Sequence, residues 1–182
     1  MKITLSKLRK LNACYTDEQM LTVSGGKKSM ELIDIMRLDI PEKDRIWVAC
    51  ACMPQKMRLE FSYTVASRAL SRVKNPDQRS VSALAELRKY IDGQSTTEKM
   101  REAADAAYAA YYATNTAYTA YYAADAAYYA ARSASRSAAR SASYSAAYSA
   151  ARSASYSAAR SAEERKQQIE DIIRLLEGEE RR

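Results

Sequence analysis

The chain contains no histidine, and its 182 residues include only three Cys, three Pro, four Gly, one Phe and one Trp. Without His, a zinc or haem site loses its commonest ligand, and a Ser or Cys nucleophile loses its usual base. Cys14, Cys50 and Cys52 are odd in number, and Cys50-Ala51-Cys52 lacks the spacing of a metal knuckle. No cofactor is expected. The same counts argue against a disulfide framework and for a reducing, cytoplasmic setting. Long apolar runs are missing too. The opening MKITLSKLRKL has no continuous apolar stretch and no small-residue cleavage site, so it does not read as a signal peptide. Residues 103–131 carry no Lys or Arg and have the length of a membrane span. Ala and Tyr are too weakly apolar for a bilayer, and Asp105 and Asp125 interrupt the stretch, so no membrane partner is expected.

Neither Gly nor Pro falls between Gly93 and Gly178. In their place, from Tyr108 to Arg160, stands a run built almost wholly of Ala, Ser, Tyr and Arg, holding 11 of the 14 Tyr. Ala is the strongest helix former, Tyr is tolerated and Ser is only modestly unfavourable. Disordered segments are poor in aromatics, and this one is rich in them, so the run reads as helix. It repeats: YAAYYA at 108–113 returns as YTAYYA at 118–123, and SAARSASY at 137–144 recurs at 149–156. From Tyr128 a large residue stands at every fourth position, through Arg132, Arg136, Arg140, Tyr144, Tyr148, Arg152 and Tyr156 to Arg160.

At about 100° per residue, Tyr118, Tyr121, Tyr122, Tyr128, Tyr129, Arg132, Arg136 and Arg140 share one stripe of a helix, about 120° wide. Beyond Arg140 a strict period of four drifts by about 40° per step and leaves that stripe. An unbroken helix over the run and the tail would be on the order of 100 Å long. Thr114-Asn115-Thr116 is the weakest point, expected to end one helix and cap the next. Faces of Ala and Ser allow close approach, so antiparallel helices packed through small residues are expected, or an oligomeric array that buries Tyr.

The large apolar residues concentrate in residues 1–90 and 169–176, where a core can form. Thr4 caps a short helix carrying Leu5, Leu8 and Leu11, and Thr16 caps another that stops at Gly25-Gly26. Ser29 is expected to cap a helix through Met30, Leu32, Ile33 and Met36. Pro41 and Pro54 each open a helix. The first should turn Ile46, Trp47, Cys50 and Ala51 inward; the second carries Met57, Phe61, Val65, Ala69, Leu70 and Val73. After the Asn75-Pro76-Asp77 turn, Val81, Leu84, Leu87, Tyr90 and Ile91 mark a helix stopped by Gly93. Ser95-Thr96-Thr97-Glu98 has the form of a capping box. Ile169, Ile172, Ile173, Leu175 and Leu176 line one face of a final helix stopped by Gly178. No strand is expected. The fold is therefore read as all-α: a compact short-helix domain over 1–93, a long Ala/Ser/Tyr/Arg-rich helical region over 94–162, and a C-terminal amphipathic helix over 163–182.

Several ordered motifs, LDIPEKDRIWVA (38–49), RLEF with ASRAL (58–70), VKNPDQRSVSALAELRKYIDG (73–93) and TTEKMREAADAAYAA, together resemble a family of phage and bacterial immunity proteins. Its members join a small helical domain to a long Ala-rich run spaced by Tyr, Arg, Asp or Trp. The likeness covers about residues 30–165. The resemblance implies a non-enzymatic binder that neutralises a toxin or defence effector in conflict between bacteria and mobile elements, and it carries no catalytic residues.

The formal charge is +7, and five Arg with no acid lie between Ala126 and Ala162. Arg132, Arg136 and Arg140 stand one turn apart, where like charges repel unless an anion or acidic partner lies among them. Tyr121, Tyr122, Tyr128 and Tyr129 offer rings beside them that can stack. This stripe is the candidate binding site. A protein effector or toxin is one expected partner, and an anionic nucleotide sequestered by an oligomer is another. A nucleic acid is a third, which would show steep salt dependence. The stripe read without a ligand is a solvated or packed face. Gly25-Gly26-Lys27-Lys28-Ser29 lacks the spacing and preceding strand of a phosphate loop and reads as a turn.

Overall fold

Helices make up most of the described structure. The computed structural model describes residues 1–113, 118–135 and 161–180, and the chain is all-α apart from one short ribbon. That ribbon corrects the expectation of no strand. Lys2–Thr4 (β1) pairs antiparallel with Ser29–Glu31 (β2), in a register that sets Ile3 opposite Met30. Three residues are too few to show a period of two in the sequence, and the partner strand is far along the chain. Burial of Ile3 fixes which way β1 faces.

Between the two strands lie α1 (Leu5–Lys10) and α2 (Asp17–Val23). Both begin as the sequence predicts. Thr4 Oγ1 accepts from the Lys7 amide, and Thr16 exchanges bonds with Gln19 in a full capping box. Gly25 and Gly26 adopt φ of 62° and 80°, a left-handed pair that reverses the chain after α2. Ser29 does not cap the next helix. It is drawn into β2, and α3 (Leu32–Met36) starts after Glu31 with no side-chain cap.

α4 (Glu42–Cys52) and α5 (Gln55–Ser71) each follow a proline, as predicted. α6 (Gln78–Ile91) is capped by Asp77, whose side chain accepts from the Arg79 amide. Gly93 closes that helix with φ of 76°. α7 (Thr97–Ala113) starts at Thr96, which accepts from the Lys99 amide. Ser95 is not its cap, because the Ser95 hydroxyl is bonded to Glu86. α8 (Tyr118–Ser135) follows, and α9 (Ser161–Glu180) ends the described chain. The predicted break at Thr114-Asn115-Thr116 lies outside the described residues. α9 runs through Gly178, which therefore does not stop it.

α5 lies between neighbours, packing on α6, α8 and α9; α7 packs on α6 and α8. α7 and α8, joined by four residues, form an antiparallel pair. α9 lays Ile169, Ile172 and Leu176 against α3, α4 and α5, so its apolar face is covered by the same chain. One apolar cluster runs from Ile3 to Leu176, crossing the compositional boundaries at 93 and 162. Most inward positions match the sequence pattern. Val81 is exposed, however, and Ala83 and Ser80 take its place on the buried side of α6. Trp47 is half-buried rather than enclosed.

Candidate binding surfaces

The α7–α8 pair presents the predicted stripe, but the stripe does not make the main contact. Ala104, Ala107 and Ala110 of α7 and Ala126, Ala127, Ala130 and Ala131 of α8 are buried. Placing the four α8 alanines at about 100° per residue gathers them on one face, with Tyr122, Tyr128 and Tyr129 toward its sides and Asp125 and Arg132 opposite it. Ala side chains are short enough to bring the helix backbones close together. The larger residues are left half-buried along the edge of the seam.

On that edge the rings meet. The Tyr108 and Tyr128 ring centroids are 4.9 Å apart and tilted by 43°. Tyr128 and Tyr129 are also 4.9 Å apart, tilted by 50°. Such offsets suit aromatic quadrupoles. Arg132 Nη1 donates to the Tyr128 hydroxyl, and its guanidinium carbon lies 5.4 Å from that ring's centroid. One side chain from α7 and three from α8 thus form a continuous aromatic and cationic cluster. Tyr108, 42% exposed, belongs to it although the stripe of α8 could not reveal it. Tyr121 lies on α8. Arg136 and Arg140 lie outside the described residues, as does the ladder from Tyr144 to Arg160.

A second concave feature lies at the other end of the sequence. α1, α2, the ribbon, α3 and α4 enclose a half-open cavity of about 330 Å³. Its walls include Ile3, Leu8, Met20, Met30, Leu38 and Trp47. Lys27, Lys28 and Lys43 stand at its edge, all exposed. The one acid in the lining, Asp44, accepts a 2.9 Å hydrogen bond from the Tyr15 hydroxyl. That bond, with some burial, holds the Tyr15 phenol above its ordinary pKa. Nothing in the sequence announces this cavity, because α4 supplies four of its residues and every other element only one or two, from stretches far apart in the chain.

The cysteines offer little chemistry. Burial pushes the Cys50 thiol up to about 12, so it holds its proton at neutral pH. Among the described residues no three of Cys, Asp and Glu converge as a metal site requires. Among the same residues, no helix is long and apolar enough to cross a membrane. No family model, curated protein or solved structure matches the chain.

Proposed function

We propose that this chain is a non-enzymatic binding protein of the immunity type, which neutralises a toxin or defence effector by docking the Tyr/Arg edge of α7–α8 against it. One observation carries the reading: Tyr108, Tyr128, Tyr129 and Arg132 form a single contiguous cluster on the packed α7–α8 pair. Tyr and Arg are the residues that most often dominate binding energy at protein interfaces. A cluster already held by ring and hydrogen-bond contacts loses little side-chain entropy on docking. The resemblance to immunity proteins supplies the class of partner. The reading sets the protein in the bacterial cytoplasm, as a homo-oligomer.

The expected outcome is saturable retention of one host protein by the immobilised chain. A Tyr128→Ala, Arg132→Ala variant should weaken it by at least about 30-fold, as loss of an interface hot spot does. Absence of a saturable partner, or full retention by the folded variant, would sink the reading. A second reading draws on the same cluster, since Arg132 sets a phosphate-binding fork beside a ring able to stack. In it, an oligomer sequesters an anionic nucleotide signal. Calorimetry with a nucleotide panel separates the two. Binding that vanishes in Arg132→Ala and Arg136→Ala variants supports sequestration, and silence across the panel removes it.

A further inference from the structure

We propose that the N-terminal cavity binds a single-chain amphiphile with an anionic head, of the class of a medium-chain fatty acid. Its chain would fill the space between α1, α2, the ribbon, α3 and α4, and its carboxylate would meet Lys27, Lys28 and Lys43. This site is separate from the Tyr/Arg edge and does not depend on the function proposed for it.

Size and lining choose the tail. The volume of about 330 Å³ falls at the lower end of small-molecule sites, which run from about 300 to 1,000 Å³. At roughly 30 Å³ for each water-sized group, the cavity takes one chain of about ten methylenes and no second chain. Ile3, Leu8, Met20, Met30 and Leu38 supply aliphatic walls, with the Trp47 ring beside them. These side chains line a recess instead of projecting from the surface, so a free amphiphile fits them and a bilayer face does not.

Charge chooses the head. Three Lys border the cavity, and none of them forms an ion pair among the described residues. The lone acid of the lining is occupied by Tyr15. Lys43 lies in the first turn of α4, where the helix dipole disfavours a cation, so helix stability does not account for it. Lys27 and Lys28 follow the left-handed Gly25-Gly26 turn, which carries them back toward β1, where the Leu5 amide bonds the Lys28 carbonyl. Like charges gathered around apolar walls match a ligand that is apolar at one end and anionic at the other.

Trp47 is the only Trp in the chain and lines the cavity, so its emission reports occupancy directly. Decanoate, titrated into the full-length protein below its micelle concentration, should shift that emission and saturate at one molecule per chain. Decanol should bind about tenfold more weakly. A Lys27→Gln, Lys28→Gln, Lys43→Gln variant should lose about tenfold for decanoate, because three exposed ion pairs are removed together, and nothing for decanol. A Met30→Trp variant, checked for its helical signal, should exclude both ligands. Three results would overturn the proposal: no saturable shift, equal binding of decanoate and decanol, or uptake of many molecules per chain. Retention of the protein by phosphatidylglycerol vesicles, with no response to free decanoate, would overturn it as well and assign the lysines to a lipid surface.

Discussion

Replacing Arg68 with Ala is expected to destabilise the protein by about 3 kcal/mol, at the lower end of the cost of breaking a buried ion pair. Arg68 leaves α5 and meets α9. Its Nε and Nη2 donate to Glu164 Oε1 at 3.1 and 3.0 Å, and Nη2 also donates to Asp171 Oδ2 at 2.7 Å. The Glu164 side chain is fully buried and Asp171 nearly so. Burial alone pulls the Arg68 guanidinium down, but the hydrogen bonds to Glu164 and Asp171 outweigh it and hold the group above its ordinary pKa. Removing Arg68 therefore leaves the nearly buried Asp171 with only the longer 3.8 Å pairing to Arg174 and weakens the pairing of Glu164. Arg72 still bonds Glu164, and Gln168 donates to it at 3.1 Å, so part of the network survives and the cost stays at the low end. Urea unfolding measures the loss, and amide exchange should show it first in Ser161–Glu180. A cost below about 1 kcal/mol would mean that the pair behaves as a surface contact. Replacing Arg68 and Glu164 together by Leu should recover much of the loss, since two charges leave the interior at once.

Phe61→Ala is expected to cost about 3–5 kcal/mol, the range for emptying a buried aromatic site. Phe61 is the only Phe in the chain and is fully buried on α5, the helix that touches α6, α8 and α9. The apolar cluster around it contains eleven alanines. Alanine has no side-chain torsion with which to swing into a hole, and helices already packed through alanine have little room to close further. The site should collapse poorly, which places the cost near the top of the range. Phe61→Leu keeps most of the volume and should cost about 1 kcal/mol. Thermal unfolding of the two variants checks both values. Equal effects would show that the core relaxes around the gap.

The two predictions separate what kind of binding each surface depends on. If α9 loosens in Arg68→Ala while the α7–α8 pair keeps its exchange protection, a partner of the Tyr/Arg edge should still be retained. The N-terminal cavity draws on α1 to α4 and the ribbon and touches neither position, so its response to decanoate should persist wherever the variant remains folded.

The sequence by itself determined the helices and most of their ends. Caps at Thr4 and Thr16, the Asn75-Pro76-Asp77 turn before α6, the prolines before α4 and α5, and the stop at Gly93 all act within four residues of chain, so composition and spacing reveal them. It also determined the inward stripe of α5, because a period of four apolar residues has one buried solution on a helix. Only the tertiary structure decided the ribbon, since β1 has no pairing signal until Met30 arrives opposite Ile3. Only it showed that the alanines of α8 face the core while Tyr128, Tyr129 and Arg132 hold the edge. A helical wheel gives both faces but not which of them finds a neighbour. Nothing near Glu164 in the sequence marks it as buried; its partner Arg68 stands 96 residues earlier and meets it only in the folded chain. The cavity likewise gathers five elements that no local pattern connects. Short-range order is written in neighbouring residues; which face is buried, which charge is paired and where a hollow remains depend on contacts made across the whole chain.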